Sequence, residues 1–463
     1  MAMRRTNAGP ASSPRVRRAQ GARAVDGVSE TKRCLCRLTL LNLNMQNYKE
    51  AVARLVSLSN LETPWRGSLE SLQGSLTRTK QLLTKLENPE RQLKFIHVTG
   101  TSGKGSVTNL IHEMLLADKR KVASYTSPHT TTFLERFRVN DKLVDPKLLV
   151  QAIELVIAGY EVHLVEGRQA LSYFELATVV ALVAFVMAGV EWCVLEVGLG
   201  GRWDSTNVIP KKEVAVITNI GLDHTDLLGN TVEEIAQEKV GIVTGRCAVI
   251  SGVDQPNIRE TIRDVATEKK ASVKFVEAPN GDHRLHNALM ATAAAQAVGV
   301  KIDAIERALK MTRGLPCRFE IIGHEPLVII DGAHNDAKMK GTANLLKSMK
   351  QGKIHVIFGC KKGKDAESML KSIMPLAEVI HTTRYRSGYG APENPATLSK
   401  MIPKNKRGRC WLFADEALQF VLGEAKTSDT VLITGSLYLA GELRTHWVSE
   451  ESIVKKQSSQ VKN

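Results

Sequence analysis

The seven cysteines of this 463-residue chain include no C-x-x-C pair and no His/Cys cluster at zinc spacing. That excludes a zinc ribbon and a disulfide-stapled secreted module, and it points to free thiols in a reducing compartment. No uninterrupted apolar run reaches the roughly 20 residues of a membrane span. The longest, from Leu176 to Val190 between Glu175 and Glu191, reads as a helix buried against a sheet, and no membrane partner is expected.

Acidic residues are absent from the first 25 positions, which carry six arginines, a composition seen in organelle transit peptides. Residues 1–44 hold nine Lys or Arg against Asp26 and Glu30, so +7 of the formal net charge of +15 sits there. Without periodicity until Leu38, this head is expected to be disordered. Two readings stay open: a transit peptide for a mitochondrion or plastid, or a dispensable extension of a cytoplasmic protein that works from Met45. Because so much of the excess charge lies in the head, no nucleic-acid partner is expected. The tail 449–463, with Lys455, Lys456 and Lys462, reads as a solvated, flexible end.

What is present is an α/β alternation. The pattern is helical from Gln46 to Leu86 around a turn at Pro64. Strand-like runs then follow at 95–99, 122–126, 192–197 and 214–219, with helical stretches near 106–118, 146–158, 173–189 and 231–240. Helices are expected at 285–298 and 302–311. Near-continuous apolar strands between helices imply a mostly parallel sheet covered on both faces. Gly314-Leu-Pro316 breaks the pattern, and a second alternation starts, with strands at 327–331, 353–358, 377–381 and 430–434. The expectation is two α/β domains: 45–314, and a smaller Rossmann-like domain 315–448.

The strongest single signal is Phe95-Ile-His-Val-Thr-Gly-Thr-Ser-Gly-Lys-Gly-Ser106, an apolar strand running into a Gly-rich turn and an amphipathic helix. Backbone N–H groups of such a turn close around phosphate oxygens, and the helix N-terminus adds a favourable dipole. Gly100, Thr101, Ser102, Gly103, Lys104, Gly105 and Ser106 are therefore candidate nucleoside triphosphate ligands, with Lys104 on the β- and γ-phosphates. The common phosphate loop has Gly where this chain has Val98, and Ser or Thr where it has Gly105. The Mg²⁺-binding hydroxyl is then displaced to Ser106 or supplied from elsewhere. The bland alternative is a Gly-rich turn without ligand.

Other candidates cluster at strand ends, where open parallel sheets bind ligands. Glu196 ends the run Trp192–Val197 and offers a carboxylate to Mg²⁺ or its water. Tyr125-Thr-Ser-Pro-His129 presents Ser127, and Asn219-Ile-Gly-Leu-Asp-His-Thr225 presents His224. Acid and imidazole could instead be general acid–base machinery, and spacing does not decide between the two. Lys239 lies just before Gly241, where a surface lysine at a helix end is the ordinary alternative. Val328-Ile-Ile-Asp-Gly-Ala-His-Asn335 and Thr430-Val-Leu-Ile-Thr-Gly-Ser-Leu-Tyr438 are strand-to-turn segments that could cap helices or face the phosphate loop across a cleft.

Taken in order, Gly100–Ser106, Tyr125–His129, Leu171-Ser-Tyr-Phe-Glu175, Leu195-Glu-Val-Gly-Leu-Gly-Gly-Arg202, Gly221-Leu-Asp-His-Thr225, Asp331-Gly-Ala-His-Asn335 and Gly435-Ser-Leu-Tyr438 resemble the folylpolyglutamate synthase / dihydrofolate synthase family. That family belongs to the Mur ligase superfamily of ATP-dependent amide-bond ligases. The resemblance runs from about residue 48 to 447.

The resemblance implies a Mur-ligase-type fold with an N-terminal P-loop ATPase domain. It implies ATP and Mg²⁺, with Lys104 on the triphosphate, Ser127 and Glu196 on one metal, and His224 with Glu196 on a second. Lys239 matches a lysine that the superfamily often carbamylates into a metal ligand. Asn287 matches an adenine-contacting asparagine and Arg318 an interdomain arginine on the phosphates. Asp331 and His334 match the nucleotide and amino-acid side of the cleft. The partners implied are L-glutamate and a folate or pteroate acid, and the protein is expected to be a monomer. The chain departs from the family pattern at Ser102, where Asn is usual, and at Asp336, where Pro is common. It departs also in a shorter 252–287 stretch and in Cys360-Lys-Lys-Gly-Lys-Asp365. These changes leave open which acid is used, or whether a related acid outside the folates takes its place. An ATP-binding regulator without ligase activity is the reading from another class.

Overall fold

A computed structural model describes residues 45–59, 69–277, 282–312, 314–349, 352–386 and 390–460. The basic head and the Pro64 turn lie outside them. The continuous helical pattern before Leu86 resolves into α1 (Met45–Leu58) and α2 (Leu69–Lys85).

Apolar runs then build β1 (Lys94–Thr99), α3 (Lys104–Ala117) and β2 (Val122–Tyr125). Two short antiparallel strands, β3 (Phe137–Val139) and β4 (Lys142–Leu143), extend the edge beside β2. After them come α4 (Pro146–Val165), α5 (Tyr173–Met187), β5 (Trp192–Glu196), β6 (Val214–Ile217), α6 (Thr225–Leu228) and α7 (Val232–Val240). The half closes with β7 (Ala248–Ser251), α8 (Pro256–Glu268), β8 (Ser272–Phe275), α9 (His283–Ala297) and α10 (Ile302–Met311). The sheet order is β4-β3-β2-β5-β1-β6-β7-β8, parallel from β2 to β8.

Both faces of this sheet are covered, which is why its central strands are mostly apolar. On one face Ile96, Val98, Val194 and Val216 pack against Ile111 and Met114 of α3 and Met290 of α9. On the other, Ala215 and Ile217 meet Ile235 of α7 and Ile258 of α8. α5 is buried from Glu175 to Phe185, as its hydropathy implies. α4 is a second apolar helix, long enough by length and composition to cross a membrane, and half of that stretch is buried within the fold.

The second half forms β9 (Glu320–His324), β10 (Leu327–Ile330), α11 (Asp336–Lys347), β11 (Ile354–Phe358), α12 (Ala366–Ile373) and β12 (Val379–Thr382). It continues with α13 (Pro395–Lys400), β13 (Arg407–Cys410), α14 (Ala414–Glu424), β14 (Thr430–Thr434) and α15 (Leu437–Arg444). Its sheet runs β13-β12-β11-β14-β10-β9, parallel except for β9. The architecture is thus α/β with two mostly parallel sheets.

The tail corrects the sequence reading. Instead of a solvated end, Glu450–Lys456 forms α16, capped by Ser449 and burying Ile453 and Val454. Beyond it Leu143 N donates to Gln457 O at 2.9 Å, and Ser459 Oγ donates to Glu135 at 2.8 Å. The fully buried Arg444 forks onto both Glu320 oxygens at 2.8 Å, lies 3.8 Å from Glu135 and donates to Ser459 O.

Candidate active site

β1 ends at Thr99 and α3 begins at Lys104, so four residues turn the chain. Gly100 takes φ +146°, and a Cβ there would lie 1.8 Å from Thr218 Oγ1; only glycine fits. Gly103, at φ +81°, is the N-cap of α3 and supplies no side-chain cap. The turn is tied to the end of β6: Thr101 N donates to Asn219 O at 3.0 Å, Ser102 N to Asn219 Oδ1 at 2.8 Å, and Thr218 Oγ1 to Ser102 O at 2.5 Å. Asn287 of α9 leans over the same turn, its Oδ1 2.6 Å from where a Gly103 Cβ would be.

Gly105 lies against the carboxylate of β5: a Cβ at that position would sit 3.4 and 3.5 Å from the two carboxylate oxygens of Glu196, in ordinary contact with them. Glu196 is buried, and its Oε2 accepts from Ser127 N at 2.9 Å. Burial pushes its carboxyl upward; Lys104, the Ser127 amide, Arg318 and Arg136 oppose that shift.

Lys104 and Lys239 both donate to Gly100 O, at 2.9 and 3.1 Å. The surface-lysine alternative for Lys239 is overturned, since the residue is 4% exposed. Burial, with Lys104 acting in the same direction, brings its ammonium down to about 7, while Asp223 and Asp204 oppose. His224 is a half-exposed left-handed residue before α6. Burial of its ring lowers its pKa against the pull of Asp223.

The second sheet brings its strand ends to the same place. Asp331 braces a turn: Oδ1 accepts from Ala333 N at 2.9 Å and Thr342 Oγ1 at 2.8 Å, and Oδ2 from Phe319 N at 2.8 Å. Phe319 and Cys317 both have positive φ, so Asp331 holds the strained segment that carries Arg318. Asn335 Oδ1 caps α11 through Lys338 N at 3.0 Å, and Ser436 caps α15. His334 Nδ1–H donates to Gly332 O at 2.8 Å, and Nε2 accepts from Lys338 Nζ at 3.0 Å. Burial, then Lys338 and Arg318, drives the imidazole down to about 3, which fixes it as neutral.

Three site residues escape the motif reading. Asp223, inside a quoted motif, lies 3.8 Å from Lys364 of the second half. Lys338 is four residues beyond His334, a helical spacing visible in the sequence. Arg136 donates to His129 Nδ1 at 2.9 Å and stacks over Phe133 and Tyr173; nothing in its sequence neighbourhood marks it.

The site's residue types are oxygen donors and cations. Mg²⁺ keeps waters and takes phosphate oxygens beside one or two protein ligands, and prefers oxygen donors such as a carboxylate and a hydroxyl. Glu196 and Ser127 suit it.

Residues 98–321 match the Mur ligase middle domain, and residues 317–437 the Mur ligase glutamate ligase domain. The dihydrofolate synthase/folylpolyglutamate synthase of Bacillus subtilis is 30% identical over 414 residues, covering 80% of this chain and 94% of that protein. A Haloferax volcanii protein named "Probable bifunctional folylpolyglutamate synthase/dihydropteroate synthase" is 31% identical over 440 residues and 86% of this chain. The chain spans half the length of that relative. The Yersinia pestis bifunctional folylpolyglutamate synthase/dihydrofolate synthase complexed with AMPPNP and Mn superposes with a TM-score of 0.73 at 27% identity, over 86% of this chain and 97% of the other. With motifs, fold and site geometry in agreement, the chain belongs to the folylpolyglutamate synthase/dihydrofolate synthase family of Mur ligases.

Proposed function

We propose that this protein is an ATP-dependent ligase that joins a folate-type carboxylate to L-glutamate through an acyl phosphate. The observation that carries the reading is the convergence of Glu196, Lys104 and Arg318 on a Gly-rich turn shaped by Gly100 and Gly103. The acid's carboxylate attacks the γ-phosphorus of ATP, forming its C–O–P bond as the bond to ADP breaks. The amine of glutamate then attacks the acyl carbon, phosphate leaves, and the nitrogen releases a proton.

Each residue has a place in this scheme. Lys104 and Arg318 offset the charge on the transferring phosphoryl group, the dominant kind of contribution in such reactions. Glu196 and Ser127 would hold Mg²⁺, which when bound would supply Lewis-acid stabilisation of the phosphate oxygens. His224 would contribute with Glu196 to a second metal position, together with Lys239 if it were carbamylated. Asn287 and Ser102 shape the nucleotide side. Asp331 acts by positioning Arg318, and His334 faces the amino acid.

For the acid, the loop after Ser127 leads into a cleft of about 350 Å³ lined by His129, Thr131, Phe133, Tyr173 and Glu450. Phe133 and Tyr173 stand 5.9 Å apart, an aromatic wall for a flat ring system. The described cysteines are free thiols, in keeping with a reducing, cytoplasmic setting.

Incubation with ATP, glutamate and either dihydropteroate or tetrahydrofolate, with products read by mass, tests the reading and separates first glutamate addition from chain extension. Lys104→Ala should leave the fold intact and lower product formation on the order of 10²-fold or more. Wild-type protein that forms no amide with either acid would reject the function.

A further inference from the structure

Lys338 is a charge without a counter-charge. Its amine lies on the inner side of α11 and makes one hydrogen bond, to the neutral Nε2 of His334 at 3.0 Å. Among the described residues no carboxylate oxygen comes within 4 Å of it. The charged groups that act on it are Arg318, Lys104, Asp223 and Lys364. Arg318 and Lys338 belong to the second half, as does Lys364, which holds Asp223 from 3.8 Å. Burial and these cations bring the Lys338 ammonium down to about 7, against the pull of Asp223.

The phosphate loop has cations of its own, Lys104 and Lys239, both anchored on Gly100 O. On the opposite wall, Lys338 and Lys364 act on one acid, Asp223, while Arg318 reaches Glu196 as well as Lys338. Two lysines beside one carboxylate suit a dicarboxylic amino acid, which presents two carboxylates and one ammonium. We propose that Lys338 contacts the incoming amino acid directly and takes one of its carboxylates, with His334 fixing the amine in place. This rests on the ligase reading above and adds the group that recognises the amino acid. Neither the Gly-rich turn nor the strand-end motifs mark this residue.

The experiment is steady-state kinetics of the full chain, wild type against Lys338→Met and Lys338→Arg, with ATP and glutamate varied in turn. The expected result is a KM for glutamate raised about tenfold or more in Lys338→Met. The KM for ATP should stay within about twofold, and Lys338→Arg should recover most of the loss. Glutamine and isoglutamine, each lacking one carboxylate, identify the one bound, since the penalty of Lys338→Met should vanish with one of these amides. An unchanged KM for glutamate, or a KM for ATP that rises in parallel, would overturn the inference and make Lys338 a structural or phosphate-binding group. A loss confined to kcat would overturn it too. Should Lys338→Met fail to fold, Lys338→Gln takes its place under the same criteria. Wild-type protein without glutamate-dependent turnover would reject the ligase reading as well, whereas wild-type turnover with an indifferent variant rejects this inference alone.

Discussion

Lys104 and Lys239 share one acceptor, the carbonyl oxygen of Gly100, although they are 135 positions apart in the chain. Two ammonium groups on one oxygen repel each other, and burial adds to the cost of keeping both charged. Burial and the nearby Lys104 charge bring the Lys239 ammonium down to about 7. A substantial fraction of its amine is then neutral at ordinary pH, the form that can add CO₂ and release a proton to give a carbamate.

That chemistry gives a three-part expectation for Lys239. Lys239→Ala should lose most activity, and short carboxylic acids added to the assay should restore part of it by filling the anionic position. Lys239→Arg should stay inactive, because a guanidinium cannot be carbamylated in this way. Ligation rates across the three variants check this, and an active arginine variant would reduce Lys239 to a structural cation.

Gly100→Ala should be more damaging than its size implies. The new methyl would overlap Thr218 Oγ1, and the backbone would have to keep φ +146°, which side chains strongly disfavour. A loss of about 2 kcal/mol or more is expected in chemical denaturation, together with weaker ADP binding by titration.

Buried lysines also set the pH dependence of the unliganded protein. Lys212, Lys239 and Lys338 each have a folded pKa of about 7 against an ordinary 10.5. Between those values the unfolded chain binds more protons, so stability rises with pH. The penalty for charging them in the fold is fully present below 7 and falls away above it. Thermal melting without ligands should therefore move upward from pH 7 to 8, before unfolded thiols begin to ionise in quantity at about pH 8.5. A flat or falling trend would show that these amines keep their charge.

Deleting residues 449–463 should destabilise the protein, because Ile453 is fully buried and the Ser459 carbonyl is a partner of Arg444. Loss of that burial and hydrogen bonding costs on the order of 3 kcal/mol. A truncated chain with an unchanged melting temperature would show that the tail contributes nothing.

The tail illustrates where sequence reading stops. Its apolar content is essentially Ile453 and Val454, too little to stand out among lysines, and its anchor Glu135 lies 324 positions away. The strands absent from the sequence reading are short: β3 and β4 have three and two residues, β13 is polar and mostly exposed, β8 and β9 are only half-buried, and β7 is buried but four residues long. Such short strands are held by their neighbours rather than by periodicity. The central strands and the Gly-rich turn were legible because burial on both faces and a positive φ leave direct marks on residue choice. At the site, motif residues such as Lys104 and Glu196 could be named in advance. Lys338 and Lys364 could not, because their meaning comes from groups contributed by both sheets.

The Arg444 cluster also limits how the cleft can move. Its guanidinium is wholly desolvated and holds Glu320 of the second sheet while lying beside Glu135 in the turn that follows β2. Pulling the halves straight apart would break the contacts of Arg444 with Glu135 and Thr131, while its fork onto Glu320 stayed whole. A turn of the halves about this cluster keeps all of these contacts, so the cluster favours rotation over separation.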